Sequence, residues 1–342
     1  MPNEARPATA ATMYHANITA IGTYRPEKVL TNADLEALVE TTDEWIVQRT
    51  GIRERRIARP DEFTSDLCAA AVRDMVGRYA VEVADVDYII ACTATPDYPF
   101  PGVSARLQHA LGIAKAGAVD VNATCAGFVY GLQLANALVA SGMYRKVLVA
   151  AGDTLSKITD YTDRTTCILF GDGAGAVLVE RGPEASFLAF NADSDGSGGK
   201  HVYRAGLAAA MDGVELEGNG CFVQNGREVY KWAVSTVPNG MAELAASAGL
   251  TLADIDWFAP HSANLRMIES ICERSGVPLA KTLYSLEYSG NTSSATIPLS
   301  LDAAVKDGRL AAGQTLLLYG FGGGLVQAGA LMKWNPLAPL RE

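Results

Sequence analysis

Cys125, His261 and Asn291 are the residues whose type and setting suit group-transfer chemistry. Cys125 lies in DVNATCAGFVYGL (120–132), between a short apolar strand and an apolar helix. A thiol at that junction faces the free N–H groups and positive dipole end of a helix, which favour a thiolate. Ala126 and Gly127 leave room for a substrate beside the sulfur, and the same N–H groups suit the oxyanion of a thioester under attack. The alternative is a buried cysteine that closes a helix–sheet contact. From this context alone, both readings stay open.

His261 sits in FAPHSANLRMI (258–268), after the apolar run IDWFA and before a helix starting near Asn264. Active groups gather at the carboxyl ends of parallel strands. A histidine satisfied by backbone at a strand end is the commoner arrangement. His109, in a helical stretch, and His201, in a loop, are read as structural. Asn291 lies in YSGNTSSATIP (288–298), a polar turn before an apolar helix. It reads either as an Asx-turn or helix cap, or as an amide donor aimed into a pocket. In YGFGGGLVQAGALM (319–332), the glycines allow close backbone approach or only a tight turn. Neither that stretch nor GDGAGAVL (171–178) fits a nucleotide fingerprint, because no GKS or GKT follows the one and the other leads into a strand.

The elements that must position these groups alternate along the chain. VDYIIACTA (86–94), AVDVNA (118–123) and KVLVAAG (146–152) read as strands. GVSARLQHALG (102–112) and GFVYGLQLANALVASG (127–142) read as helices, the latter ending at Gly142. This βαβα pattern predicts parallel sheet with helices on its faces. The second half repeats the first: ADVDYIIACTA (84–94) lines up with ADIDWFAPHSA (253–263), KVLVAAG with QTLLLYG (314–320), and AGAVLV (174–179) with AGALM (328–332). The shared order points to a duplicated α/β unit, a single unduplicated sheet being the alternative. Residues 191–220 are rich in Gly, Asp and Ser and read as loops, a lid or pocket rim.

The chain has 342 residues, is 49% hydrophobic and carries a net charge of −10. That composition supplies a sizeable core and argues against a general nucleic-acid binder, which needs a basic face. No run approaches the ~20 apolar residues of a membrane span. Residues 1–12, MPNEARPATAAT, lack an apolar signal core and read as a loose tail. The six cysteines are scattered without a CxxC pair or a Cys/His cluster, which predicts no structural zinc and, with no export signal, reduced thiols in a cytoplasmic protein.

ATCAGF, PHSANLR, GNTSSATIP and FGGG, in this order and over this length, resemble the β-ketoacyl-acyl-carrier-protein synthase III family, which starts fatty-acid synthesis. The similarity extends to TTDEWIVQRTGIRERRIA (41–58), PFPGVSARLQ (99–108) and TDRTTCILFGDGAGAVLV (162–179), and runs from about Met13 to Trp334. It implies an α/β fold of the duplicated thiolase-like kind, two βαβ-type halves packed as an αβαβα layered sandwich. Residues 13–187 would form the half with Cys125, and residues 188–342 the half with His261 and Asn291. The resemblance makes Cys125, His261 and Asn291 a catalytic triad, with the backbone N–H groups of Cys125 and Gly323 as an oxyanion hole. Trp45, Arg49 and Arg164 match positions that grip the CoA nucleotide. Phe170 and Phe321 match residues that shape the acyl pocket, and Phe100 one that reaches across a homodimer to close the neighbour's pocket. Lys231, Arg266 and Arg274 match a basic patch for the acidic carrier protein. The implied reaction joins an acyl-CoA primer to malonyl-acyl-carrier protein through an acyl-Cys125 thioester, with no metal or redox cofactor.

The sequence departs from the family at Glu273, where a basic residue is common, and at Val326 and Gln327, where Thr and Trp are common. The 191–220 segment also looks long. These departures leave the primer open: acetyl, branched-chain, longer or specialised. The rival readings are a starter-unit synthase or acyltransferase homologue of a secondary-metabolite pathway and a non-catalytic acyl-binding partner subunit. A thiolase is disfavoured because no cysteine follows Cys272, and an elongating synthase because position 291 is Asn. A cysteine protease is disfavoured by the duplicated organisation.

Overall fold

A computed structural model describes residues 13–217 and 219–340; the tail read at residues 1–12 lies outside them. Two sheets carry the architecture. The first is built from β1 (His15–Tyr24), β2 (Tyr88–Cys92), β3 (Gly117–Val121), β4 (Lys146–Thr154) and β5 (Asp172–Gly182), in the order β1-β5-β4-β2-β3. The second contains β6 (Phe187–Ser194), β7 (Trp257–Pro260), β8 (Thr315–Gly322) and β9 (Val326–Lys333), in the order β7-β8-β9-β6. β4 is buried along all nine residues. Its near-continuous apolar run suits a strand covered on both faces.

Helices make the remaining layers. α1 (Asp43–Thr50) lies outside the sheets, and α2 (Thr64–Tyr79) covers the outer face of the first sheet. α3 (Gly127–Ala140) and α6 (Thr296–Lys306) each touch both sheets and fill the space between them. α4 (Gly226–Ser247) lies on the second sheet and packs against α5 (Leu265–Ser275). The result is an αβαβα sandwich. α3 is apolar on nearly every side because sheets flank it on both sides. Gly131 lets it approach: a Cβ there would lie 2.6 Å from the Cys92 sulfur and 2.9 Å from Val149.

The duplication is visible in strand register. β2 and β4 pair in parallel with Tyr88 beside Val147, and β7 and β8 pair in parallel with Trp257 beside Leu316, each residue 169 positions later. β5 and β1 extend the first sheet antiparallel, as β9 and β6 extend the second; in the place of β3 the second has only a single parallel bridge, Phe258 to Thr282, among the described residues. One of the three sequence matches, residues 84–94 with 253–263, keeps this register. The other two are one residue out: the ladders set Lys146 against Thr315 and Gly175 against Ala328. A one-residue slip reverses every side chain's face, so the ladder hydrogen bonds, not short string matches, fix the correspondence.

The reading of residues 191–220 as loops needs correction. β6 runs through Asn191 to Ser194, a 3-10 turn covers Gly196–His201, and Val202–Arg204 pairs with Phe222–Gln224. Ladder hydrogen bonds to β9 and to the 222–224 strand order backbone that composition alone marked as irregular.

Candidate active site

Cys125 sits in a 3-10 turn, Thr124–Ala126, that feeds straight into α3. Thr124 holds a positive φ of 43°, and its hydroxyl donates to the Gly323 carbonyl at 3.0 Å. This bond ties the thiol-bearing turn to the glycines after β8. A Cβ on Gly322 would fall 2.9 Å from the Cys125 Cβ and 3.1 Å from its sulfur, so glycine is required for that approach.

The thiolate expected at this helix start is not the resting form. Burial pushes the Cys125 thiol up to about 12, and the Asp153 carboxylate adds to the rise. The Ser293 and Thr124 hydroxyls and the residue's own N–H pull the other way but do not outweigh desolvation. Cys125 therefore rests as a neutral thiol at pH 7.

His261 caps β7 and is 2% exposed. Its backbone N–H donates to the Tyr319 carbonyl at 2.8 Å, which holds it beside β8. Burial lowers its imidazole to about 3, against a smaller opposing effect of the Ser293 carbonyl, so the ring is neutral. Nδ1 lies 2.9 Å from the Thr296 hydroxyl, which is also 3.0 Å from the Ser293 carbonyl. That hydroxyl has one proton for two acceptors. When it donates to Nδ1, the ring proton sits on Nε2; when it donates to Ser293, Nδ1 carries the proton. The ring edge packs against Phe321 with centroids 5.3 Å apart.

Asn291 is fixed by backbone on both sides: its N–H donates to the Leu169 carbonyl, and its carbonyl accepts from Gly171 N–H. Its Oδ1 accepts from Ser293 N–H at 2.9 Å. The Asx-turn read from the sequence is thus present, and it leaves Nδ2 as the side chain's available donor. Ser293, at φ 51°, starts the 3-10 turn that leads into α6.

These groups line one cavity of about 470 Å³, together with Phe170, Phe321 and the backbone of Gly322 and Gly323. Its far wall is apolar. Phe170 meets Phe222 edge-on at 4.7 Å, over Leu155 and Ile158. Val202 to Gly206 form part of the rim, as the loop reading anticipated. Ser293, Thr296 and Phe222 were not singled out from sequence. The two hydroxyls stand within GNTSSATIP, but their roles depend on where α6 begins. Phe222 lies in an unremarkable CFVQ.

Trp45, Arg49 and Arg164 come together outside the cavity. The guanidinium carbons of Arg49 and Arg164 lie 5.5 and 5.3 Å from the Trp45 ring centre. Arg164 also donates to the Glu40 carbonyl at 3.0 Å. Thr42 caps α1 through Trp45 N–H, and Gly51 ends it at φ 76°, which sets this platform. Arg266, at the start of α5, donates from Nε to the Gln48 carbonyl at 2.9 Å, linking the platform to the cavity wall formed by Ala263, Asn264 and Met267. Lys231 on α4 pairs with Glu228 at 2.7 Å on the surface, a weak contact. Arg274 is exposed near the far end of α5, beside Glu273. Phe100 is 85% exposed and does not line this chain's cavity.

The family model described as 3-oxoacyl-[acyl-carrier-protein (ACP)] synthase III matches residues 119–196, and the model of its C-terminal part matches residues 245–334. A β-ketoacyl-[acyl-carrier-protein] synthase III of Halalkalibacterium halodurans is 60% identical over 321 residues, 94% of this chain and 97% of that one. The crystal structure of β-ketoacyl-[acyl carrier protein] synthase III from Thermus thermophilus superposes with a TM-score of 0.90 at 44% identity, covering 93% of this chain and 99% of the other. The priming β-ketosynthase of the R1128 polyketide pathway superposes at 0.89 with 35% identity, covering 97% and 100%. With its duplicated sandwich and the thiol, imidazole and amide gathered at one cavity, the chain belongs to the 3-oxoacyl-[acyl-carrier-protein] synthase III family.

Proposed function

We propose that this protein is a β-ketoacyl-acyl-carrier-protein synthase III, which joins an acyl-CoA primer to malonyl-acyl-carrier protein by decarboxylative Claisen condensation. The observation that carries the reading is the convergence of Cys125, His261 and Asn291 on one largely apolar cavity. In the first step the Cys125 sulfur attacks the acyl carbonyl, the carbon–sulfur bond to CoA breaks, and CoA leaves with the thiol proton. The N–H groups of Cys125 and Gly323 hold the oxyanion. Acylation must therefore meet the cost of deprotonating a thiol that burial keeps neutral, as its proton passes to the departing CoA sulfur.

In the second step the malonyl thioester loses CO₂ and its electrons pass into an enolate. Asn291 Nδ2 and His261 Nε2–H donate to the enolate oxygen. The Thr296 hydroxyl supplies that tautomer by donating to Nδ1. A neutral His261 suits this work because it donates a hydrogen bond without protonating the enolate. The carbanion then attacks the acyl-Cys125 carbonyl, the C–C bond forms, and the Cys125 sulfur is expelled and reprotonated.

The Trp45, Arg49 and Arg164 platform receives the CoA nucleotide by stacking and phosphate pairing. Phe170 and Phe321 shape the primer's site. Arg266 at the cavity wall, with Lys231 and Arg274, forms the carrier landing, which reconciles a net charge of −10 with an acidic partner through local complementarity. The assembly is a homodimer: β3 is an open sheet edge with Ala118 and Val119 exposed, and the exposed Phe100 stands two residues before Gly102, which abuts the Asp120 carboxylate of that strand. No described helix is long and apolar enough to cross a membrane. The proposed place of action is the cytoplasm, where both thioesters are made.

The test is intact-mass spectrometry after incubation with a panel of acyl-CoAs, then with malonyl-carrier protein. An acyl adduct on Cys125 that disappears as β-ketoacyl-carrier protein forms is the expected result and reveals the primer. An adduct that persists with malonyl-carrier protein but clears with another acceptor selects the acyltransferase reading instead. No adduct with any primer overturns the proposal.

A further inference from the structure

Asp153, at the end of β4, is fully buried and takes no part in the reaction as described above. Its Oδ1 accepts from the Thr93 hydroxyl at 2.9 Å, Ala94 N–H at 2.8 Å, Thr95 N–H at 3.1 Å and the Thr95 hydroxyl at 3.0 Å. Its Oδ2 accepts from Ser294 N–H at 3.1 Å and the Ser294 hydroxyl at 2.7 Å. Four of these bonds come from the first half and two from the second. Ser294 lies within the Asn291–Thr296 stretch, between Ser293, whose N–H holds Asn291, and Thr296, which faces His261.

The internal symmetry shows what this carboxylate replaces. The 169-residue correspondence of the ladders maps Thr124 onto Ser293, Cys125 onto Ser294, and Asn122 onto Asn291. The backbones agree: Thr124 and Ser293 share the positive φ, and in both turns the asparagine Oδ1 accepts from the N–H two residues on. The same correspondence maps Asp153 onto Gly322. Gly322 touches Cys125 and leaves the sulfur room, whereas Asp153 touches Ser294 and fills that room with a carboxylate.

We propose that Asp153 is a positioning residue for condensation: through Ser294 it anchors the helix start that carries Asn291 and faces His261, at the place where the other half keeps a glycine for substrate access. This rests on the proposed function given above. Six hydrogen-bond donors surround this buried carboxylate and offset the cost of burying it. The titratable groups facing Asp153 are thiols: Cys68 on α2, Cys92 on β2 and Cys125. The nearby carboxylates Asp97 and Asp120 are held by Ser65 and by the Val103–Ser104 helix start. The Asp153 charge raises all three thiols, so its removal makes Cys125 easier to ionise.

The test compares Asp153→Asn and Ser294→Ala with the wild-type chain in three readouts: acyl loading from acyl-CoA, discharge by malonyl-carrier protein in a single turnover, and Cys125 alkylation by iodoacetamide as a function of pH. Ser294→Ala is expected to load within about twofold of wild type and Asp153→Asn at least as fast as wild type, while discharge slows roughly tenfold in Asp153→Asn and roughly threefold in Ser294→Ala. Alkylation should quicken and its rise move to lower pH in Asp153→Asn alone, because Ser294→Ala keeps the carboxylate. Equal losses of loading and discharge, or an unmoved alkylation profile in Asp153→Asn, would overturn the inference. So would a Ser294→Ala variant that discharges like wild type, a result available even if Asp153→Asn fails to fold. A wild-type chain that never loads would instead overturn the proposed function, and the alkylation profile, which needs no substrate, would still report on Asp153.

Discussion

The two halves carry the same strand ladders and helix starts but different side chains at matched points. The first half's helix start holds Cys125 where the second holds Ser294. The end of β2 holds Cys92, buried at 1% exposure with its thiol pushed up, where the second half places the cavity-lining His261. In the proposed reaction one half therefore contributes the nucleophile and the other the imidazole and amide that line the same cavity. The difference teaches that a duplicated frame supplies two equivalent positions, and that side-chain volume and charge decide which becomes reactive. Gly322 opens one position and Asp153 closes the other.

The largest expected effect breaks the nucleophile side. Cys125→Ala should abolish acyl-enzyme formation and lower turnover by roughly 10⁴-fold or more. Adding Ser294→Cys to that variant should restore nothing, because Asp153 stands behind residue 294; mass spectrometry of the double variant with acyl-CoA checks both. Next, His261→Ala or Asn291→Ala should slow condensation by roughly 10²- to 10³-fold while leaving acyl loading nearly intact. Separate loading and discharge assays read that split. A smaller effect sharpens the access argument. Gly322→Ala sets a Cβ against the Cys125 Cβ and should slow loading roughly tenfold and also lower the unfolding temperature, as the crowded turn must shift.

The smallest effect concerns stability against pH. His261 titrates near 3 in the folded chain and at its ordinary value of 6.5 when unfolded. Between those values the unfolded chain binds the extra proton, so its contribution is present above 6.5 and is lost as pH falls toward 3. His261→Gln should therefore flatten the fall in denaturation midpoint across that window, measured by chemical unfolding at several pH values.

Much of this was legible in the sequence, for physical reasons. Strands buried on both faces leave continuous apolar runs, as in KVLVAAG, and glycine and asparagine mark helix ends, as at Gly142 and Asn264. Cys125, His261 and Asn291 each kept a structural reading on its own residues; the family resemblance joined them, and the fold brings them to one cavity. What the sequence hid was environment. Cys125 has the helix start that favours a thiolate, yet desolvation and Asp153 outweigh it, and both depend on distant segments packing around it. The strings KVLVAAG and QTLLLYG look aligned but sit one residue out of register, which only the ladders reveal. Asp153 follows directly on the strand read at KVLVAAG (146–152), but its partner Ser294 lies 141 residues away.

The most direct test of the division of labour is a chase in the Asn291→Ala variant. The enzyme is first loaded with acyl-CoA, and malonyl-carrier protein is then added while CO₂ release and the Cys125 adduct are followed together. The account predicts full loading, a persistent adduct and CO₂ release slowed in step with it. Discharge at the wild-type rate, or failure to load at all, would contradict the claim that one half carries the acyl group and the other generates the carbanion.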